Sequence, residues 1–165
     1  TQCVGESLGC IPPDSRLVVV GSVCEHLYRQ LGATRFHSLN FSRMELLFVL
    51  PNKDLSAVKS LAHAFLLPIP HGGGSNIKTA EALYSGAYVI GTEAAFRGFE
   101  NFLDLPEVTV ARNPSQFQSA VRDILARPKA LINDASEAMK CREALLWDHC
   151  LASIPTVVAD ITKEK

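Results

Sequence analysis

Apolar residues along this chain occur in two patterns, as short continuous runs and as longer segments in which they recur every three or four positions. Runs rich in β-branched residues and bounded by Gly or Pro are typical of strands buried in a parallel sheet. They predict strands at 17–23, 45–50, 64–69, 87–92 and 107–111. The periodic segments predict helices at 24–32, 52–64, 76–85, from 114 onward and at roughly 133–151, followed by a weaker tail.

Several helix ends carry recognisable capping residues. Asn52 or Asp54 can cap the second helix. Asn113 precedes Pro114, and Gln116 is placed for a capping box, so a helix should begin at Pro114. Its buried stripe should consist of the residues at helical spacing, Phe117, Ala120, Val121, Ile124 and Leu125.

The alternation of strands and helices predicts the doubly wound α/β class. We expect a Rossmann-like parallel sheet of about five or six strands with helices on both faces. A chain of 165 residues corresponds to one domain, and no linker or internal repeat divides it. Ligands of such sheets bind at the carboxyl ends of the strands, beside helix N-termini.

Composition and charge exclude some classes of function. The formal net charge of −1 gives no overall attraction to nucleic acid or to an acidic membrane surface. No apolar run reaches the length of a membrane span, and no signal peptide is visible. The odd number of cysteines and the absence of metal-site spacing predict reduced, scattered thiols in a cytoplasmic protein: Cys3, Cys10, Cys24, Cys141 and Cys150.

The candidate chemistry lies in HGGGSNIKTAEALYSG, residues 71–86. The glycines fall after one predicted strand and before a predicted helix. Unpaired N–H groups and the positive end of the helix dipole meet there, so an anion can approach the backbone closely. Lys78 adds a point charge in the first turn. Together these features predict a cradle for a diphosphate.

Glu81 lies on the stripe that we expect to face the sheet, with Ile77, Ala80 and Tyr84. A carboxylate there should be partly desolvated, and a sugar or ribose diol would satisfy it. Simpler interpretations stay open at this point. The glycines suit a tight connection, Lys78 and Glu81 suit a surface ion pair, and His71 suits an ordinary loop histidine.

Three known motifs do not fit the chain. Lys78 lacks the preceding Gly of a Walker P-loop, and the stretch does not supply the GxGxxG dinucleotide fingerprint. HGGG and the GxSxG match at residues 5–9 together suggest an esterase. However, the two motifs occur in the wrong order, and Pro12 and Pro13 break the chain where a helix should follow Ser7.

The segment PIPHGGGSNIKTAEALYSGAYVIGT resembles the most recognisable part of retaining GT-B glycosyltransferases, closest to glycosyl transferases group 1, family 4. The shared features are a strand ending in Pro, a Gly-rich loop, a helix with Lys and Glu-Ala-Leu, a small-Gly turn and a strand ending in Thr. A weaker resemblance extends from residues 17–23 to Trp147 and Asp148, which look like the Trp-Asp near the end of the C-terminal domain.

The resemblance implies a nucleotide-sugar donor. Glu81 would hold the ribose hydroxyls, and Lys78 with the amides around the helix start would face the diphosphate, making Lys78 and Glu81 the catalytic candidates. The loop around Pro51 to Leu55 would lie beside the nucleobase. No metal or other cofactor is expected, because Lys78 and the helix dipole stabilise the leaving diphosphate. The implied donor-binding set is His71, Gly72, Gly73, Gly74, Ser75, Asn76, Lys78 and Glu81.

The sequence also departs from the family pattern. Many relatives carry a further Glu where this chain has Gly73, and nothing in residues 1–16 matches the family's first strand and its Arg…Lys pair. The acceptor-binding N-terminal domain is absent as well. With the start at Thr1, this predicts a piece of a two-domain enzyme that is inactive alone.

In that enzyme, the missing domain would bind a sugar or lipid-linked acceptor and would account for any peripheral membrane association. No nucleic-acid partner is expected. The alternative is a non-catalytic Rossmann-like binding or partner domain that has lost donor affinity.

Overall fold

The computed structural model describes residue 11 and residues 14–31, 44–71, 76–130 and 141–163. Within these ranges, strands and helices alternate as the sequence predicts. The elements are β1 (Leu17–Val19), α1 (Val23–Leu31), β2 (Met44–Leu46), α2 (Asn52–Leu61), β3 (Ala64–Leu67), α3 (Ile77–Ser85), β4 (Tyr88–Gly91), β5 (Val108–Val110), α4 (Pro114–Leu125), α5 (Trp147–Cys150) and α6 (Ile154–Lys163). Two 3₁₀ turns, Glu93–Phe96 and Glu100–Phe102, lie between β4 and β5.

All strand pairs in the described residues are parallel, which confirms the predicted α/β class. β1 pairs with β2, and β3, β4 and β5 pair in that order. In the sheet formed by β3, β4 and β5, Leu66 lies opposite Ile90, and Ile90 lies opposite Thr109. The strands therefore form two hydrogen-bonded groups, of two and three strands, where the sequence suggested one sheet.

The three-stranded sheet is covered on both faces. Neighbouring residues of a strand point to opposite sides, so Val89 and Ile90 of β4 enter different cores. One core contains residues of α3 and of the turn after β4: Leu67, Ala82, Leu83, Val89, Ala95 and Phe96. The other is built mainly by α4: Ile90, Ala111, Phe117, Ala120, Val121 and Ile124.

The face that α3 buries differs from the predicted one. Thr79, Ala82 and Leu83 are buried, whereas Ile77 and Tyr84 are exposed. Both sets have helical spacing. The small side chains of Thr79 and Ala82 let the helix lie close to the sheet, and the Thr79 hydroxyl finds an acceptor there. The predicted stripe is therefore the outer face of the helix.

Helix ends match the capping signals only in part. Asn113 Oδ1 accepts the Gln116 N–H at 2.9 Å, so the predicted cap of α4 is confirmed. The return bond of the capping box goes elsewhere, because Gln116 Oε1 accepts the Arg112 N–H at 2.9 Å. The expected cap of α2 by Asn52 or Asp54 is wrong, because α2 begins at Asn52, after Pro51, without a side-chain cap.

The C-terminal region does not form the single helix predicted at 133–151. Leu146 has extended backbone angles (φ −73°, ψ 141°) and precedes the short α5. The helix α6 then forms where the sequence suggested only a weak tail. Residues 133–140 of the predicted helix lie outside the described part of the chain.

Three of the predicted free thiols can be placed. Cys24 is buried and Cys141 and Cys150 are exposed, all unpaired, while Cys3 and Cys10 lie outside the described residues. Across the described ranges, no helix combines the length and apolar character needed to span a bilayer.

Candidate functional site

The carboxyl ends of β3, β4 and β5 surround a cleft of about 380 Å³. This is the edge at which doubly wound sheets bind ligands. The cleft is lined by Pro70, Thr92, Glu93, Ala94, Ala111, Arg112, Asn113, Pro114 and Phe117. A larger and more open hollow, of about 520 Å³, lies along β5 and α4. Neither lining includes a residue of α3, but the cleft contains Ala94, whose carbonyl accepts a hydrogen bond from Asn76 at the start of α3, whereas the hollow has no such contact with the predicted site.

The start of α3 lies beside this cleft and is held by an unusual use of its N-cap residue. An N-cap Asn normally accepts a backbone N–H with its side-chain oxygen. Here Asn76 makes no such cap, and its Nδ2 donates to the carbonyls of Ala94 and Ala95 at 3.0 and 3.1 Å. The Asn76 carbonyl accepts the N–H groups of Thr79 and Ala80 at 2.8 and 3.2 Å.

Thr79 fixes the same turn from inside the protein. Its side chain is fully buried, and Oγ1 donates to the Ala95 carbonyl at 2.7 Å. Thr92 holds that turn in place, since its hydroxyl accepts the Ala95 N–H at 3.3 Å and donates to the Ile69 carbonyl. The first turn of α3 is therefore anchored to the ends of both β3 and β4.

The first turn of α3 also has backbone donors without an acceptor among the described residues. Within the described residues, the N–H groups of Ile77 and Lys78 make no hydrogen bond. Lys78 is exposed and forms no ion pair with any residue whose position is described. Two amides, the positive end of the helix dipole and one ammonium group thus favour an anion at this point.

Glu81 is exposed on the outer face of α3, one turn beyond Lys78. Its Oε2 lies 2.8 Å from Nζ of Lys59, in α2. The expectation that Glu81 shares a buried apolar stripe is therefore wrong. The alternative of a surface pair between Lys78 and Glu81 is also not found, because the partner comes from a different helix.

The remaining predicted site residues divide into described and undescribed ones. His71 is exposed after β3. Gly72, Gly73, Gly74 and Ser75 lie outside the described residues.

The segment predicted to lie beside the nucleobase is not a loop throughout. The loop after β2 covers 47–51, and Asn52 to Leu55 already belong to α2. Phe48 in this loop has a positive φ of 51°, which is uncommon for an aromatic residue.

Sequence reasoning missed the residues that hold the site together. Asn76 was predicted to bind the donor, but its anchoring role, and that of Thr79, was not foreseen: both side chains fasten α3 to the turn at Glu93–Phe96. The role of Lys59 could not be predicted from the sequence, because its contact with Glu81 depends on how α2 and α3 pack against each other. Thr92 was noticed as the last residue of a motif, without its role in holding the turn.

The described part of the chain contains no candidate metal site. None of its His, Cys, Asp and Glu residues form a group of three or more that could hold an ion. The polar groups near the cleft mouth are instead paired, with Arg112 Nε donating to Glu93 Oε1 at 2.8 Å.

Comparison with known proteins gives structural neighbours only. No protein-family model and no curated protein matches the sequence. Among solved structures, WaaG, a glycosyltransferase involved in lipopolysaccharide biosynthesis, matches with a TM-score of 0.56 and 21% identity over 97% of this chain and 42% of WaaG. A mutant O-GlcNAc transferase of Thermobaculum terrenum matches with a TM-score of 0.58 and 22% identity, over 87% of this chain and 27% of that one.

A further neighbour is AviGT4, a glycosyltransferase involved in avilamycin A biosynthesis. It matches with a TM-score of 0.53 and 20% identity, over 95% of this chain and 44% of AviGT4. The chain thus spans less than half of each of these proteins. At this identity the likeness concerns the fold. It confirms the Rossmann-like α/β fold that was expected for one half of a GT-B fold.

Proposed function

We propose that this chain is the donor-binding domain of a glycosyltransferase that transfers a sugar from a nucleoside diphosphate to an acceptor. The observation that carries the proposal is the start of α3. Its first turn is fixed by Asn76 and Thr79, and amides, an ammonium group and a carboxylate are available within one turn of each other. The glycosyltransferase neighbours support the same conclusion.

The diphosphate would lie at the helix start. Ile77 and Lys78 would donate their N–H groups, and the Lys78 ammonium would neutralise charge as the sugar bond breaks. The glycines at 72–74, Ser75 and His71 would complete the donor-binding loop. A cationic side chain and a helix dipole can together stabilise the leaving diphosphate, so we propose transfer without a metal ion. Retention of the anomeric configuration is proposed from the family resemblance.

Glu81 would bind the ribose. An ionised carboxylate has two oxygens and accepts hydrogen bonds from vicinal hydroxyls. It is exposed and lies one turn beyond Lys78, which is the order expected for a nucleoside placed behind its diphosphate. The acceptor would bind to a second domain, and the chain alone would bind donor without catalysing transfer.

Calorimetric titration with UDP, GDP and ADP tests this function. We expect one of them to bind, and Glu81→Ala to weaken it by at least about tenfold, because hydrogen bonds to a charged group contribute about 1.5–3 kcal/mol. Glu25→Ala is the matched control, since Glu25 is exposed on α1 and, among the residues that the structure describes, its carboxylate pairs with Arg29 of the same helix. Binding unchanged by Glu81→Ala would contradict the assignment.

A second function is favoured by one observation. The Glu81 carboxylate already has a partner in Lys59, so the chain could keep the fold as a non-catalytic binding or partner domain without donor affinity. Failure of all three nucleotides to bind would favour this second candidate.

A further inference from the structure

The outer face of α3 is joined to α2 by one ion pair. Lys59 lies in the last turn of α2, and its Nζ is 2.8 Å from Glu81 Oε2. The two side chains are 29% and 48% exposed, so the lysine side chain is the more enclosed of the two. A long lysine side chain that is largely covered has fewer rotamers available than a free surface lysine, and this makes the position of its charge more definite.

The 2.8 Å contact of Lys59 is made to Oε2 of Glu81. Glu81 Oε1 has no hydrogen bond to any described residue, so it remains available to a ligand. Without Lys59, Glu81 would be an uncompensated negative charge one turn from the place proposed for the diphosphate. Such a charge would repel the ligand that it is meant to help bind.

We propose that Lys59 is a positioning residue that orients Glu81 toward the ribose and neutralises its charge, thereby setting the preference for ribonucleotides. This inference rests on the proposed function. Lys59 acts through Glu81 and does not contact the donor. It should therefore affect discrimination between a ribose and a sugar without hydroxyls more than it affects the stability of the fold.

The test compares a ribonucleoside diphosphate with its 2′,3′-dideoxy analogue by calorimetry, using whichever nucleotide binds best. The wild type should prefer the ribonucleotide by about tenfold or more. Lys59→Met should reduce this preference to within about threefold, whereas Lys59→Arg, which keeps the cation, should retain most of it. Glu81→Gln should abolish the preference, and adding Lys59→Met to it should cause little further change.

Lys129→Met is the matched control. Lys129 Nζ donates to the Ser60 carbonyl at 2.8 Å, so it supports the same turn of α2 without touching Glu81. If Lys59 acted only by stabilising α2, both methionine variants would lower the preference equally. We expect Lys129→Met to leave the preference unchanged.

The outcomes separate this inference from the proposed function. An unchanged ribose preference in Lys59→Met, or an equal loss in Lys129→Met, would overturn the role of Lys59 while leaving donor binding intact. Absence of binding by the wild type would overturn both. A loss confined to Lys59→Met and the Glu81 variants, in proteins with unaltered circular dichroism, supports the inference.

Discussion

Arg142 offers the most quantitative test of how α3 is supported. It is 2% exposed, and Nε donates to the Leu83 carbonyl in the last turn of α3 at 2.9 Å. Its Nη2 donates to Glu107 Oε2 at 3.0 Å. A cation at a helix C-terminus also interacts favourably with the helix dipole. Arg142 therefore ties the C-terminal region and the segment before β5 to the helix that carries the site.

The loss of stability expected for Arg142→Met follows from these contacts. Removing one partner of a buried ion pair typically costs about 3–5 kcal/mol. Glu107 is 20% exposed and can regain some hydration, and the Leu83 carbonyl keeps its bond from the Gly86 N–H. We therefore expect the lower end, a loss of about 3 kcal/mol in the free energy of unfolding. For a chain of this size, that corresponds to roughly 6–12 °C in melting temperature.

Urea unfolding measures this loss, provided that the slope of free energy against denaturant is the same in both proteins. Arg142→Lys keeps the positive charge but not the planar guanidinium that donates to two acceptors at once. It should lower the free energy of unfolding by about 1–2 kcal/mol. Arg122→Met is the control, because Arg122 is an exposed cation in the last turn of α4; it should lose no more than about 0.3–1 kcal/mol, the contribution of the helix dipole alone. A loss below about 1 kcal/mol for Arg142→Met would refute the reasoning.

Two further predictions concern the last residue of β4 and the turns that follow it. A Cβ at Gly91 would lie 2.7 Å from Cε2 of Phe96, so Gly91→Ala should destabilise by about 1–3 kcal/mol in thermal unfolding, and an unchanged melting temperature would contradict this packing. The Gly98 N–H donates to the Glu100 carboxylate and, together with the N–H of Glu100 itself, lowers the pKa of that group. The ionised Glu100 carboxylate therefore contributes fully to stability above its unfolded pKa of about 4.3, and this contribution is lost as the pH falls through the lower pKa of the folded state. A carbon-13 NMR titration of the Glu100 carboxyl should give a midpoint below about 4.3, and a midpoint at or above it would contradict these hydrogen bonds.

The alternation of strands and helices could be predicted because each element carries its own local pattern. Buried parallel strands are continuous apolar runs, and α4 has a cap and a stripe within a few residues of each other. These signals need no knowledge of the rest of the molecule. The start of α3 was also located to within one residue, because the glycines and Pro70 leave few alternatives.

The orientation of α3 could not be predicted, because two stripes of helical spacing overlap in the same segment. Larger apolar residues favoured the face of Ile77 and Tyr84. The protein instead buries Thr79, whose hydroxyl bonds the Ala95 carbonyl, an acceptor supplied by a turn far along the chain. Glu81 was therefore assigned the wrong surroundings, and its partner Lys59 was not foreseen. Contacts between helices are set by tertiary packing, which local spacing does not encode.

Amide chemical shifts test the central claim most directly, because they report where on α3 the ligand binds. In nitrogen-15 NMR spectra, a nucleoside diphosphate should shift the N–H signals of Ile77 and Lys78 strongly. Inorganic pyrophosphate should shift the same two signals, and the nucleoside without phosphate should not. Shifts confined to the hollow along α4, or none at the start of α3, would contradict the claim that the diphosphate binds at this helix.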